Sequence, residues 1–428
     1  MTLTLTQVFL SIAAAAVVLT ALRWSVKKPQ SLLVLLIQHF IGLFFIFSGF
    51  VKAIDPLGTS YKIEEYFVEF GVDFLVAYSL PFSVFTIVLE IVLGVTLLIG
   101  FLKDTTAALL LALIVFFTVL TGFTYLSGYE IGKWYNPSTW VFNELNMKVT
   151  DCGCFGDFLK IKPYHSFLKD VFLTVLIVFL FIQRKKIDEL FSPVTRGVVT
   201  AVAVVGFTLF CFRNFAWNLP LFDFRPYKVG NYLPDLMKEI PDKVEYIWVY
   251  QDKNSGAVQE FSDAEFMQVS SQPGFKDKYQ FVDRKVGKVL QKGVPAKINN
   301  FQIINEHNED VSEDILYYPD YQMLVIAYDL EHTKEKAFQE KLNPLASEAQ
   351  KAGIPFFVVT AASSGQIAAF REKNGISYPV YTADPVFLKT IIRSNPGLVL
   401  LKEGTVMGKW HHRHIPSYDE LNRNFLKR

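Results

Sequence analysis

Apolar positions crowd the first half of this chain in runs too long for the core of a small soluble domain. Six of them, near 6–22, 32–51, 76–101, 105–127, 167–183 and 194–216, can each cross about 30 Å of hydrocarbon, which takes roughly 20 helical residues. The third is the longest, and Pro81 near its start predicts a bend. The first run resembles a leader segment only in part. No basic stretch precedes it and its positive charges follow it, so it reads as a retained helix. These runs predict an α-helical transmembrane bundle of about six helices.

After residue 222 the pattern shortens and alternates. Strand-like runs fall at 244–251, near 279–284 and 286–290, and then at 322–328, 354–360, 398–402 and 405–410. Helical patterns at 333–352, 363–374, 385–393 and 417–427 lie among and after the later strands. Strands alternating with helices, then a strand pair turning at Glu403-Gly404, then a helix, predict an α/β soluble domain. Residues 223–300 read as a mixed connecting region.

Charge sharpens this division. Residues 1–222 hold 30 Asp, Glu, Lys and Arg, whereas 223–428 hold 53, a membrane composition followed by a soluble one. The formal net charge of +1 gives no basic surface for nucleic acid. Arg23, Lys27, Lys28, Lys103, Arg184, Lys185, Lys186 and Arg196 all fall on one side if six spans alternate, and the positive-inside rule makes that side the cytoplasm. Loops 52–75 and 128–166 and everything after 217 then face outward. Within 52–75, Tyr61, Ile63, Tyr66, Phe67 and Phe70 alternate with Lys62, Glu64, Glu65 and Glu69, which predicts a short amphipathic helix in the membrane interface.

Three cysteines are too few for a disulfide-stapled scaffold. Cys211 sits in an apolar run and reads as a small buried hydrophobe. Cys152 and Cys154 flank Gly153 in the outward run Asp151-Cys152-Gly153-Cys154-Phe155-Gly156-Asp157. Two thiols at that spacing can close a tight, strained and therefore oxidising disulfide, on the membrane face where disulfides persist. Three readings stand: an electron relay, a structural pin, or half of a metal site with His165, still short of four ligands.

Glu90 lies mid-span, where an ionisable group is costly and suggests a proton- or quinone-linked site; its plain alternative is a protonated carboxyl bonded to a neighbouring helix. His39 reads as a packing histidine. Lys52 and Asp55 flank the second span, and Lys169 and Asp170 start the fifth, where they can pair with that couple or snorkel to water. Arg213 reads as snorkelling. His411, His412 and His414 would be split across two strand faces, with no adjacent carboxylate or cysteine to complete a metal site.

Two resemblances follow. The order of elements after Asn300 resembles the thioredoxin fold, carried by Ser394-Asn395-Pro396-Gly397 and the run to Val406. In thioredoxin-like proteins a cis-proline precedes such a strand, and Pro396 is the matching position. The redox Cys-x-x-Cys belongs near Asp329–Thr333, yet no cysteine follows Cys211, so this domain has no dithiol chemistry and is left a binding role.

The membrane half resembles the DoxX/MauE family over roughly 32–184. The carriers are Phe47-Ser48-Gly49-Phe50-Val51-Lys52-Ala53-Ile54-Asp55-Pro56, the Glu90-x-x-x-Gly94 stretch, and Cys152-Gly153-Cys154-Phe155-Gly156. With the appended domain, the whole looks like a DoxX-family protein of the Bacteroidetes type. The resemblance implies a bacterial inner-membrane protein with a four-helix core, redox-active Cys152 and Cys154, and Glu90 as a core position. It divides the chain into a first helix and cytoplasmic loop (1–31), the DoxX/MauE-like domain (32–184), a sixth helix and linker (185–222), the connecting region (223–300) and a periplasmic thioredoxin-like domain (301–428).

The leading expectation is a thiol–disulfide oxidoreductase relay, or maturation of envelope proteins, with an envelope protein partner docked by the C-terminal domain. No bound cofactor is demanded, and a membrane quinone would complete the circuit. The rival is a non-enzymatic scaffold whose thioredoxin-like domain docks a partner. A third reading, a transporter using Glu90, has no inverted repeat behind it.

Overall fold

The computed structural model describes residues 4–130, 140–143, 146–149 and 153–427. Among them, six helical segments are long and apolar enough to cross a membrane. They contain α1 (Leu5–Val26), α2 (Leu32–Ile54), α4 (Ser79–Ile99), α5 (Lys103–Leu126), α6 (Pro163–Ile182) and α7 (Pro193–Phe212), and the shorter α3 (Pro56–Glu69) follows α2. The segment 52–75 therefore does contain a helix. Pro56 opens it at a position where a missing N–H costs nothing, and the Asp55 carboxylate caps it by accepting from Gly58 N at 3.0 Å.

Pro81 lies in the first turn of α4, after a 3-10 turn at Asp73–Tyr78. No intrahelical bond is lost there, so it marks the start of the helix rather than the expected bend.

Glycine sets the closest helix contact. A Cβ on Gly94 of α4 would stand 2.7 Å from the Gly42 carbonyl oxygen of α2, and one on Gly49 would stand 2.5 Å from Ile91. Small residues let two apolar helices approach backbone to backbone where lipid gives no hydrophobic drive.

Three of the basic residues expected on one side, Arg23, Lys103 and Arg196, meet at one end of the bundle. Arg23 pairs with Asp188, while Lys103 and Arg196 pair with Glu189 at 2.7 and 2.9 Å. Gln38 joins them, donating to the Leu97 carbonyl at 2.8 Å and accepting from Asp188 N at 3.0 Å. At the other end α7 runs into a π-helical turn, Arg213–Trp217. There Arg213 donates to Asn214, which donates to the Ala53 carbonyl, so Arg213 is engaged with protein rather than only reaching for water. Cys211 is fully buried against Ala53, Ile87 and Ile91, as a small hydrophobe would be.

The soluble half holds two sheets. The smaller has β1 (Lys243–Asp252) between β2 (Val258–Ser262) and β3 (Tyr279–Gln291), all antiparallel. The two strands expected at 279–284 and 286–290 are one, because irregularities in its pairing with β1 absorb the break in the apolar pattern without ending the strand. Helix α8 (Asp263–Ser270) covers this sheet, with Trp248 stacked on Phe266 at 4.4 Å.

The larger sheet contains β4 (Ile303–Ile304), β5 (Tyr321–Ile326), β6 (Phe356–Thr360), β7 (Val380–Ala383), β8 (Gly397–Lys402) and β9 (Thr405–His411), in the order β9-β8-β5-β6-β7-β4. Strands β5, β6 and β7 are parallel neighbours, and β8 is antiparallel to β5 with Gly397 opposite Ile326. Helices α9 (335–351, with a π-helical turn at Phe338–Leu342), α10 (Ser364–Asn374), α11 (Pro385–Ile391) and α12 (418–426) complete the domain.

Every residue of β5 and β6 is buried because both faces are covered. Met323, Val325 and Val358 pack towards α9, whereas Leu324, Ile326 and Val359 pack towards α11 and the linker residues Tyr227 and Leu233. This is a thioredoxin-like arrangement, and the Asn395–Pro396 bond is cis as the sequence suggests. Strands β4 and β7 are too short to stand out in the apolar pattern.

Candidate functional site

Ser48 and Lys52 are one helical turn apart, so α2 presents both on one face. Glu90 on α4 meets them. Its carboxylate pairs with the Lys52 ammonium and accepts from the Ser48 hydroxyl at 3.2 Å, with Lys52 and Glu90 both buried. The same hydroxyl lies 3.2 Å from the Cys154 carbonyl oxygen. Its single proton thus stands between the buried carboxylate and the cysteine loop.

A second buried pair lies nearby. Lys169 and Asp170, adjacent on α6, pair with each other, and Asp170 accepts from Thr121 at 3.0 Å. The expected pairing of Lys169 and Asp170 with Lys52 and Asp55 is not formed. Lys52 is taken by Glu90, and Asp55 by Arg393 of the soluble half, at 2.8 Å. Glu90 is thus bonded to a neighbouring helix, through an ion pair that keeps each charge buried beside its opposite.

The cysteine loop is held down by Phe155. Its fully buried ring packs on Phe44 and Phe47 at 5.8 and 5.9 Å and lies 5.6 Å from the Lys169 ammonium. Gly153 and Gly156 take φ of +60° and +52°, the left-handed region that favours glycine, and Gly156 N donates to the Gly153 carbonyl at 3.0 Å. The motif of small residues around the cysteines is therefore a requirement of the turn. Cys152 lies outside the described residues, and its pairing with Cys154 with it.

Beneath this loop is a cavity of about 270 Å³, bordered by Ser48, Lys52, Glu90, Cys154, Lys169 and Asp170 and otherwise largely by phenylalanine and aliphatic side chains. The structure thus brings together four groups that the sequence marked separately: Cys154, Glu90, Lys52 and the Lys169–Asp170 couple.

Other marked residues lie elsewhere. His39 bonds Thr20 at 2.8 Å, a satisfied packing histidine. His165 is exposed at the start of α6. His411 is buried at the end of β9, and its ring lies 4.0 Å from that of His412. His412 accepts from or donates to the Ser394 hydroxyl at 3.2 Å, beside the cis-proline loop. Asp329–Thr333, where a redox motif would sit, is a turn in which Asp329 bonds His332.

Burial pushes the His411 and His412 imidazoles down, to about 4 and about 3. On His412, the neighbouring His411, Arg413, Lys334 and Lys341 act in the same direction. An unfolded chain protonates both rings near the ordinary value of 6.5. Below that it takes up protons that the folded state refuses. Stability is therefore full above pH 6.5 and falls as the pH drops towards about 4. The expected result is a thermal midpoint a few degrees lower at pH 5 than at pH 7, with a flatter slope in His412→Gln. A midpoint that does not move between these pH values would show that the rings are not held neutral.

Arg393 was not singled out by sequence reasoning. A lone arginine before Ser394 carries no motif, and its partners Asp55 and Asp157 are far away in the chain. The only available signal was indirect: Asp55 and Asp157 stand in loops assigned to the same side as the soluble half.

Among known proteins, no curated protein matches this chain. A solution structure from Bacteroides thetaiotaomicron, described provisionally as a protein disulfide isomerase, is 17% identical, covering 30% of this chain and 84% of that one with a TM-score of 0.24. The family model described as Methylamine utilisation protein MauE matches residues 30–132, which contain Ser48, Gly49, Lys52, Asp55, Pro56, Glu90 and Gly94 and end before the cysteine run.

Proposed function

We propose that this protein is a thiol–disulfide relay of a bacterial inner membrane, working through Cys152 and Cys154 on its periplasmic face. The observation that carries this reading is the position of Cys154 on the same cavity as two buried ion pairs. The side assignment rests on the basic residues collected at the opposite end of the bundle. The DoxX part of the family resemblance, and its Bacteroidetes type, belong to this proposal as well.

In one turnover a substrate thiolate attacks the Cys152–Cys154 disulfide, giving a mixed disulfide and one free protein thiolate. A second substrate thiolate displaces the protein sulfur, leaving an oxidised substrate and a reduced Cys152/Cys154 pair. Re-forming the disulfide releases two electrons and two protons. A membrane quinone supplies the two-electron, two-proton acceptor when bound.

The cavity fits a single ring, since about 150 Å³ of apolar space already takes benzene. Its phenylalanine side chains would hold the ring, with the Lys52 ammonium, which has three N–H donors, as donor to a carbonyl oxygen. Ser48 Oγ, within reach of both the Glu90 carboxylate and the Cys154 carbonyl, ties the buried ion pair to the cysteine loop.

The test uses the purified, reduced full chain and a fully substituted benzoquinone, which cannot form ring adducts with thiols. Mass spectrometry should show the Cys152–Cys154 peptide losing two hydrogens as one quinol forms, and Cys152→Ser/Cys154→Ser should abolish the reaction. A pair that stays reduced while quinone is present overturns the reading.

The rival reading, a scaffold, draws on the cysteine-free thioredoxin-like domain. It expects the double serine variant to be silent in cells while deletion of 223–428 is not.

A further inference from the structure

Three separate segments converge on one side chain at the junction of the two halves. Arg393 follows α11 in the soluble domain. Its Nε donates to both Asp55 oxygens at 3.1 and 2.8 Å, and its Nη2 to Asp157 at 3.0 Å. Its Nη1 donates to the Lys389 carbonyl. Asp55 ends α2 and caps α3, whereas Asp157 belongs to the loop that carries Cys154.

The guanidinium is buried, and both carboxylates are largely so, with side-chain exposures of 6% for Arg393, 10% for Asp55 and 25% for Asp157. Two carboxylates this close repel unless a cation stands between them, and a planar fork of donors is the group that can serve both.

The surroundings extend the same contact. The Tyr61 ring of α3 lies under Arg393 at 5.2 Å and under Lys389 at 4.5 Å, and Lys389 approaches Glu64 at 3.8 Å. The Tyr61 hydroxyl meets that of Tyr328 at 3.3 Å. Tyr328 precedes the Asp329–Thr333 turn, and Arg393 precedes the cis-proline. The surface turned to the membrane half is thus the end of the sheet where a thioredoxin-like protein would carry its redox motif.

We infer that the soluble half is a cap docked on this chain's own membrane half, and that Arg393 is the positioning residue that holds loop 153–158, with Cys154, over the cavity. The partner for this docking face is internal. An external substrate must reach the cysteine loop beside the cap or displace it. This goes beyond the relay proposal, because it concerns what seats the loop and not what the thiols do.

The test uses the full chain in lipid nanodiscs with Cys152→Ser and Cys211→Ala, leaving Cys154 as the one thiol. The readouts are the rate of maleimide labelling and hydrogen exchange. Arg393→Gln should raise labelling about tenfold, as expected for a loop released to open locally, and raise exchange in 153–158 and α3. Exchange in β5 and β8 should stay as in the parent. Arg393→Lys should restore part of the protection.

If Arg393→Gln also loosens β5, Asp157→Asn replaces it, since it cuts the same link from the loop side. Labelling at the parent rate, with the β5 and β8 strands protected, overturns the inference whether or not α3 exchange rises. The relay can fail its own redox test while this result stands, and the reverse holds too.

Discussion

Glu90→Leu should destabilise the membrane half by about 3–5 kcal/mol, because it leaves the Lys52 ammonium buried without its counter-charge. Glu90 is the carboxylate that Lys52 pairs with; Lys52 is 6% exposed, the Phe117 ring lies 5.1 Å from its ammonium, and the Asp170 carboxylate of the same cavity is already paired with Lys169. The ammonium must then lose its proton or pull water into the bundle.

Lys52→Met with Glu90→Leu removes both charges at nearly constant volume. It should recover most of the loss, since a buried ion pair is often no better than a well-packed apolar pair. Denaturant titration in mixed micelles of the two single variants and the double variant gives the coupling directly. Near-additive losses would mean that the two groups do not pair in the folded protein. If the double variant is stable yet inactive in the quinone assay, the pair is retained for chemistry and not for folding.

The second large effect comes from one glycine. Gly94→Val should separate α2 from α4, because its Cβ would sit on backbone. The Gly42 carbonyl oxygen is 2.7 Å away and the Ile46 nitrogen 2.9 Å, and neither can swing aside as a side chain would. Overpacking costs roughly 1–3 kcal/mol, occasionally more, and the upper end is expected where backbone must move.

Gly206→Ala is the matched control. It also lies in a transmembrane helix, but nothing stands within 4 Å of the added carbon. Thermal unfolding of the purified variants should show Gly94→Val well below the parent and Gly206→Ala at the parent value. Equal midpoints for all three would mean that α2 and α4 do not touch at these glycines. The same displacement would shift Glu90, one turn away, relative to Lys52, so loss of quinone reactivity should accompany the loss of stability.

Legibility in the sequence followed the strength of each physical constraint. Long apolar runs are imposed by the hydrocarbon thickness, so α2 and α5–α7 stand close to where hydropathy alone puts them. Strands β5, β6 and β8 were equally visible, because burial on both faces selects runs of largely apolar residues. Strand β4, with two residues, and β7, with four, carry no such signal. The residues of the cavity could be named but not matched. Lys52 and Glu90 were the opposite charges of two neighbouring spans, yet helix rotation decides whether they meet, and rotation is set by Gly49 and Gly94 through contacts between distant positions. Arg393 was invisible for a related reason: its value comes entirely from two carboxylates, each more than two hundred residues away in the chain.

The small sheet of the soluble half raises a different matter. Ile240 and Val294 exchange both backbone hydrogen bonds, each at 2.9 Å, so the chain leaves and re-enters at a single doorway whose two sides are about 5.5 Å apart, as in any such pair. Nothing between them contributes to the two hydrophobic clusters of the large sheet. Topologically, residues 241–293 are an insertion in a loop, a self-contained module hung on a domain that closes without it. The cap and this module are therefore free to change on separate timetables. Substitutions in β1–β3 can accumulate without touching the Arg393 contact, and a different module could be exchanged at the same doorway while the cap keeps its seat.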